Sequence, residues 1–65
     1  MSLIDFNALR HLRRKHGLTI RKVADMIGKD PGTVWRYENG KTQVKGEVLF
    51  QLAELYGISV TELKR

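Results

Sequence analysis

Residues 19–41, TIRKVADMIGKDPGTVWRYENGK, decide the fold, because apolar and small side chains recur in them at helical spacing around one glycine. Val23, Ala24 and Ile27 share one face of a first short helix, and the small Ala24 side chain lets a second helix approach closely. Gly28 follows, and glycine readily takes the positive φ that ends a helix and redirects the chain. The pattern predicts a helix followed by a tight turn.

A second helix is predicted directly after this turn. Asp30 is a strong N-cap, and Pro31 suits the first helical position, where its missing N–H removes no hydrogen bond. Val34 and Tyr37 then share the face that turns toward the preceding helix. Together these elements predict a helix-turn-helix over about residues 20–39.

A further helix is predicted before this motif. It begins at Ser2 and Asp5, which resemble a capping box, and continues to Lys15 or His16 before Gly17 closes it. Its apolar stripe consists of Phe6, Leu9 and Leu12.

Two more helices are predicted after the motif. The Asn-Gly pair at 39–40 ends the third helix, and a hairpin there is disfavoured because no alternating strand flanks the pair. The fourth helix follows a loop and ends at Gly57. Ser59 and Glu62 form a capping box that starts a fifth, short helix. The apolar face of the fourth helix consists of Val48, Leu49, Leu52, Ala53, Leu55 and Tyr56.

The size and composition predict one all-α domain of five helices, residues 1–65. The chain has no cysteine, which excludes disulfides and thiolate metal sites, so helix packing or dimerisation must supply the stability. Its apolar runs are only two or three residues long. We therefore expect neither a signal peptide nor a membrane span, and a cytoplasmic location.

Positive charge is concentrated in one part of the chain. The formal net charge is +5, and the pI is about 10.0. Residues 1–45 contain ten Lys or Arg against four acids, whereas residues 46–65 contain two against three. The basic part therefore coincides with the helix-turn-helix and the helix before it, which is the pattern of a phosphate-binding surface. A merely solubilising basic surface is the alternative.

Four pieces of the sequence resemble the Cro and phage-repressor type of helix-turn-helix, the XRE family. They are Leu-Arg at 9–10 and 12–13, GLT at 17–19, TVWRYENGK at 33–41 and LAELYGIS at 52–59. The resemblance covers residues 9–63 and implies a lambda-repressor-like fold whose third helix, residues 31–38, enters the major groove of double-stranded DNA. It also implies a sequence-specific transcriptional regulator of the repressor type, a homodimer on a two-fold symmetric operator, and a partly buried ion pair between Arg13 and Glu38.

The outward face of the third helix supplies the candidates for contacts with DNA bases. Arg36 is the strongest, because a guanidinium can pair with O6 and N7 of guanine; a phosphate contact is its alternative. Thr33 suits either a base contact or the helix cap. Trp35 packs on DNA, on Arg21 or His11, or on a protein partner. The candidate base-contacting residues are Gly32, Thr33, Trp35 and Arg36.

Three positions depart from the family pattern. Members commonly place Gln, Ser or Arg at the first outward positions of the recognition helix, where this chain has Pro31 and Gly32. Neither side chain can hydrogen-bond a base edge, so we expect Gly32 to let the helix start approach the DNA backbone. DNA shape would then carry part of the specificity. Ile20 likewise replaces a Gln that binds phosphate.

Phosphate contacts are expected on both sides of the recognition helix. The start of the second helix, which Thr19 caps, offers free N–H groups and a positive dipole end, and Arg21 adds a charge. Polar and basic side chains after the third helix would hold the other strand. The candidate backbone-contacting residues are Thr19, Ile20, Arg21, Asn39, Lys41, Gln43 and Lys45.

A protein-interaction module, such as an antitoxin or adaptor, is the principal alternative to a DNA-binding regulator. Trp35 favours it, whereas the basic residues 1–45 argue against it. For homodimerisation, Val60 and Leu63 are the candidate contacts, and closure of the core is their alternative.

No enzyme, metal site, cofactor or small-molecule effector is predicted. His11 and His16 are five residues apart on one helix, a spacing that does not place them together for metal binding. The chain also contains no Gly-rich phosphate loop and no nucleophile elbow.

Overall fold

A computed structural model describes residues 4–64 of the protein and contains five α-helices within that range. They are α1 (Phe6–Lys15), α2 (Ile20–Ile27), α3 (Pro31–Glu38), α4 (Gly46–Tyr56) and α5 (Val60–Leu63). The all-α, five-helix prediction is confirmed. Within the described residues, none of the helices has the length and apolar character needed to cross a membrane.

The start of α1 differs from the prediction. Asp5 is the N-cap of α1, and its carboxylate accepts a hydrogen bond from the Ala8 N–H at 3.2 Å. The predicted capping box, which would place Asp5 inside the helix, is therefore wrong, and Ser2 lies outside the described residues. The physical reason is a distant contact: the Asp5 N–H donates to the Leu63 carbonyl at 2.8 Å, which holds Asp5 in extended backbone.

The caps of α2 and the start of α3 agree with the sequence reasoning. The Thr19 hydroxyl accepts from the Lys22 N–H at 3.0 Å, and an Asp30 carboxylate oxygen accepts from the Thr33 N–H at 3.2 Å. Gly28 ends α2 with a φ of 71°, which favours glycine strongly. The turn between α2 and α3 is thus fixed by contacts local in sequence.

The end of α3 requires a glycine for two reasons. Gly40 has a φ of 67°, whereas Asn39 before it keeps a negative φ. A Cβ at Gly40 would also lie 2.8 Å from Cε1 of the Phe6 ring. The chain leaving α3 therefore packs closely under the first residue of α1.

The inward faces of all five helices and the segment before α1 form a single core. Its buried apolar residues are Ile4, Leu9, Val23, Ala24, Ile27, Val34, Tyr37, Val48, Leu49, Leu52, Ala53, Tyr56 and Leu63. The core is close-packed: a cavity at its centre, beside Glu38, measures about 10 Å³, which is the space of one water at most.

The predicted dimer contact at Leu63 is wrong. Leu63 has no solvent-exposed surface, because α5 folds back and places this side chain against the core. Val60 is half-buried and also packs against the core. Closure of the core is thus the role of Leu63.

Arg13 and Glu38 form an ion pair in the interior. Nε and Nη2 of Arg13 donate to the two carboxylate oxygens of Glu38 at 2.8 and 3.1 Å, and Nη1 donates to the Leu18 carbonyl at 3.0 Å. Both side chains are buried. The hydrogen bonds to Glu38 raise the pKa of Arg13, although burial opposes this shift. One side chain thus joins α1, the segment before α2 and the end of α3.

Removal of one partner of this pair should destabilise the fold. We expect Arg13→Met to lower the free energy of unfolding by about 3–5 kcal/mol, because the Glu38 carboxylate is then buried without a counter-charge. The double variant Arg13→Met/Glu38→Leu should recover part of this loss, because it removes both charges. Urea denaturation followed by circular dichroism measures both; a single variant as stable as the wild type would contradict the prediction.

Ionisation of Tyr56 should lower the stability of the fold at alkaline pH. Burial raises the pKa of Tyr56 to about 12, with the Glu38 charge adding to the shift and Arg13 opposing it. The stabilising contribution is complete below the ordinary pKa of 10.0, where the phenol is protonated in both states. Between pH 10 and 12 mainly the unfolded chain ionises, so stability falls by at most about 1.4 kcal/mol per pH unit.

Tyr56→Phe is the control for this pH dependence. The unfolding free energy of the wild type minus that of Tyr56→Phe should fall as the pH rises from 10 to 12. Denaturant titrations at several alkaline pH values measure that difference. A constant difference would show that Tyr56 ionises alike in both states.

Candidate nucleic-acid interface

The outward side of α3 presents the residues predicted to contact bases. Val34, Tyr37 and Glu38 are buried against the rest of the fold, so the helix has a fixed inward side. The residues of α3 predicted to contact bases are Gly32, Thr33, Trp35 and Arg36, and we call them the recognition face. Gly32, Trp35 and Arg36 are exposed in it, and Thr33 is half-buried.

A chain of hydrogen bonds runs along the recognition face. The Thr33 hydroxyl donates to Oδ1 of Asp30 at 2.6 Å, and Nη2 of Arg36 donates to the Thr33 Oγ1 at 3.2 Å. The hydrogen bond from Thr33 lowers the pKa of Asp30, and the positive charge of Arg36 adds to this effect. Thr33 therefore takes part in the helix cap, the second role considered for it from the sequence.

Gly32 leaves the space that these groups occupy. A Cβ at this position would lie 3.0 Å from Oδ2 of Asp30 and 3.6 Å from Nη1 of Arg36. Its φ is not positive, so the backbone does not require glycine here. Glycine matters here because the Asp30 carboxylate and the Arg36 guanidinium lie next to the position that a side chain would take.

Trp35 is the large aromatic of the recognition face. Its side chain exposes 48% of its surface, and it lies next in sequence to the exposed Arg36. An indole this exposed provides a flat apolar surface on the recognition face.

The start of α2 offers backbone donors. Ile20 and Arg21 occupy the first two helical positions, whose N–H groups have no acceptor within a helix. The Ile20 side chain is half-buried and packs against the core, so the polar group that this position offers is its main-chain N–H. Arg21 is exposed and adds its charge to the same helix end.

Asn39 after α3 is engaged in an arrangement that the sequence reasoning missed. Nη2 of Arg10 donates to Oδ1 of Asn39 at 2.8 Å and to the Glu38 carbonyl at 3.3 Å. Nδ2 of Asn39 donates to the Trp35 carbonyl at 2.8 Å. An amide nitrogen carries two hydrogens, so one of them is still directed elsewhere and suits a phosphate. The signal for Arg10 was its spacing: it lies three residues before Arg13, on the same side of α1.

The remaining predicted backbone contacts lie beyond α3. Lys41, Gln43 and Lys45 are all exposed in the segment between α3 and α4. The Lys41 N–H donates to the Arg36 carbonyl at 2.9 Å, which ties the start of this segment to α3. The candidate phosphate-binding residues thus lie in two places. One is the start of α2, before α3 in the chain, and the other is the segment between α3 and α4.

The two histidines and Phe50 are not among the residues predicted to contact DNA. His11 and His16 are exposed, and the His16 ring stacks at a tilt on Tyr56, with centroids 5.5 Å apart. Across residues 4–64, no three His, Cys, Asp or Glu side chains are grouped as a metal site would require. Phe50 on α4 exposes 61% of its surface, a feature that the apolar pattern of α4 did not predict.

Comparison with known proteins identifies relatives of the chain. The sequence profile of the helix-turn-helix family matches residues 9–63. The chain is 38% identical over 53 residues to a protein of Pyrococcus furiosus that is named as an HTH-type transcriptional regulatory protein. A protein of the same description from Thermococcus kodakarensis is 32% identical over 59 residues. These matches cover 82% and 91% of this chain but 17% and 19% of the relatives, so the chain spans less than a fifth of their length.

Two solved structures share the fold. The clp gene regulator ClgR from Corynebacterium glutamicum superposes with a TM-score of 0.83 at 31% identity, covering 89% of this chain and 62% of that one. A transcriptional regulator from Listeria innocua superposes with a TM-score of 0.84 at 28% identity, covering 98% and 60%. The shared arrangement therefore extends over nearly all of this chain.

The contact between Arg10 and Asn39 should be measurable as a coupling energy. We expect Arg10→Met and Asn39→Ala each to lower the unfolding free energy by about 1 kcal/mol, and the double variant to lose less than the sum. The reason is that either single change already breaks their hydrogen bond. Denaturant titration of the four proteins gives the coupling; strictly additive losses would show that the two side chains do not interact in solution.

Proposed function

The chain belongs to the helix-turn-helix family, and from this premise we propose that it binds double-stranded DNA sequence-specifically, with α3 in the major groove. The observation that carries the proposal is the division of α3 into two sides. Its inward side is held by the Arg13–Glu38 pair, and its outward side exposes Arg36 and Trp35. A rigid helix with an exposed guanidinium suits contact with guanine.

Phosphate contacts on both sides of α3 would orient this helix. The free N–H groups of Ile20 and Arg21 suit one DNA strand, and Lys41, with the free Asn39 hydrogen, suits the other. The concentration of positive charge in residues 1–45 supports this assignment. Gln43 and Lys45 extend the same contact.

We further propose that the protein acts as a transcriptional repressor, in the cytoplasm, as a homodimer on a two-fold symmetric operator. The names of the Pyrococcus and Thermococcus relatives and of both solved structures support regulation of transcription. A helix-turn-helix that reads a short half-site gains affinity and specificity when a second copy reads the symmetric half. An exposed tryptophan beside Pro31 and Gly32 also suits docking to a protein, which is the alternative function.

Selection from a pool of random duplexes at two salt concentrations tests the proposal, with Trp35 fluorescence reporting the binding. We expect an enriched inverted repeat and an affinity that falls steeply as the salt concentration rises. Arg36→Ala should reduce discrimination at one G·C pair by roughly 5- to 150-fold, because a bidentate base contact is worth about 1–3 kcal/mol.

Lys41→Gln is the matched comparison for Arg36→Ala. It should weaken binding to all sequences about equally. The slope of log affinity against log salt concentration should become shallower by about 1, because one phosphate contact is lost. If no sequence is enriched even at low salt, DNA recognition is excluded and the alternative, protein docking on the Trp35 side, is favoured.

A further inference from the structure

We propose that Asp30 and Thr33 are positioning residues that hold the Arg36 guanidinium over the start of α3 and thereby set the base specificity of this protein. The proposal rests on the proposed function, because Arg36 must contact a base for its position to matter. It goes beyond that function by assigning a role to two residues that act through Arg36.

The chemistry of the three groups fixes the direction of both hydrogen bonds. A carboxylate only accepts, so the Thr33 hydroxyl must direct its proton at Oδ1 of Asp30, 2.6 Å away. This leaves the lone pairs of the hydroxyl oxygen for another donor. A guanidinium only donates, and Nη2 of Arg36 lies 3.2 Å from that oxygen. Asp30 therefore makes Thr33 an acceptor for Arg36.

The hydrogen bond directs the Arg36 side chain toward the end of α3 that matters for recognition. Thr33 lies one turn before Arg36, so the guanidinium extends back toward the N-terminus of the helix. In helix-turn-helix proteins the N-terminal residues of the recognition helix contact base edges. Gly32 leaves room for the Asp30 carboxylate, since a Cβ there would lie only 3.0 Å from Oδ2 of Asp30, whereas its distance of 3.6 Å from Nη1 of Arg36 is an ordinary contact.

The positioned guanidinium retains enough donors to read a base. Arginine has five N–H donors, and the contact with Thr33 uses one of them. The remaining donors can pair with O6 and N7 of guanine. Because the side chain is already held in one place, binding restricts it less than it would a freely rotating arginine.

The charge of Asp30 favours a base over a phosphate as the partner of Arg36. The carboxylate lies at the exposed start of α3 and would repel a phosphate that approached the guanidinium there. Guanine presents neutral acceptors and is repelled less. Asp30 should therefore lower the affinity for non-specific DNA while it raises discrimination among sequences.

Two variants, the first with a matched control, separate this role from helix capping. Thr33→Val removes the hydroxyl but keeps the side-chain shape and the N–H that Asp30 caps, whereas Thr33→Ser keeps the hydroxyl. Asp30→Asn keeps a good N-cap but loses the charge. If its carbonyl oxygen caps the Thr33 N–H, its amide group faces the hydroxyl as a donor. The hydroxyl proton then loses the carboxylate that fixes its direction, and the amide takes one of the two lone pairs, so the hydroxyl is no longer held as an acceptor for Arg36.

A first measurement uses the free protein and no DNA. NMR titration of the Asp30 carboxyl should show that Thr33→Val brings the Asp30 pKa back toward its ordinary value, while Thr33→Ser leaves it lowered. Side-chain relaxation at Arg36 Nε should show greater mobility in Thr33→Val than in the wild type and Thr33→Ser. Equal Asp30 pKa values and equal Arg36 mobility in all three proteins would overturn the hydrogen-bonded arrangement.

The second measurement compares affinities for the selected operator and for the same duplex with its critical G·C pair replaced. We expect Thr33→Val to lower that affinity ratio about fivefold, the factor that loss of one ordinary hydrogen bond produces, and Thr33→Ser to leave it unchanged. Asp30→Asn should lower the ratio while its affinity for non-specific DNA rises. A purely structural role would lower both affinities together and leave their ratio intact.

The outcomes distinguish this proposal from the proposed function. If the wild type prefers a sequence and Thr33→Val keeps the full affinity ratio, the positioning role is wrong and DNA recognition stands. If the wild type prefers no sequence, the proposal of sequence-specific DNA binding is wrong. The proposal that Asp30 and Thr33 set specificity through Arg36 is then wrong too, whatever the Asp30 pKa shows.

Discussion

The ion pair between Arg13 and Glu38 is the interaction on which the arrangement of the helices depends. An isolated helix of eight residues, the length of α3, is not stable in water, so its existence and direction come from packing. Val34 and Tyr37 provide apolar contacts, which are not directional. The two parallel hydrogen bonds between guanidinium and carboxylate are directional, and the third bond, to the Leu18 carbonyl, extends the restraint to the segment before α2. The pair therefore fixes how α3 is rotated about its own axis.

The two ends of α3 are held by different chemistry. Its C-terminal end is held by α1: Arg10 and Arg13, one turn apart, bind the Asn39 side chain, the Glu38 carbonyl and the Glu38 carboxylate. These contacts are half-buried or buried, so water competes with them weakly. The N-terminal end carries the exposed hydrogen bonds of Asp30, Thr33 and Arg36, which leave the remaining guanidinium donors open to a ligand. The stable end positions the helix, and the exposed end remains available for recognition.

The sequence predicted features that depend on neighbouring residues and failed on those that depend on distant ones. Thr19, Gly28 and Asp30 were assigned correctly because a cap or a turn is decided within a few residues. The start of α1 was wrong because the Asp5 N–H pairs with Leu63, at the other end of the chain. Leu63 was a dimer candidate because periodicity shows which residues are apolar and not what covers them. The engagement of Asn39 by Arg10 was missed for the same reason, since α1 and the end of α3 meet only in the folded chain.

The recognition face has few side chains able to hydrogen-bond a base, which would limit what one copy of this domain discriminates under the proposed function. A single bidentate arginine supplies about 1–3 kcal/mol, and Pro31 and Gly32 add no hydrogen-bonding side chain. Specific sites are usually separated from the competing sites of a genome by about 4–10 kcal/mol. On the proposed symmetric operator, two half-sites would double the contribution of Arg36 and still reach only the lower part of that range. On the proposed function, DNA shape read through the proposed phosphate contacts on both sides of α3 would supply the remainder, and the spacing of those contacts would matter as much as Arg36.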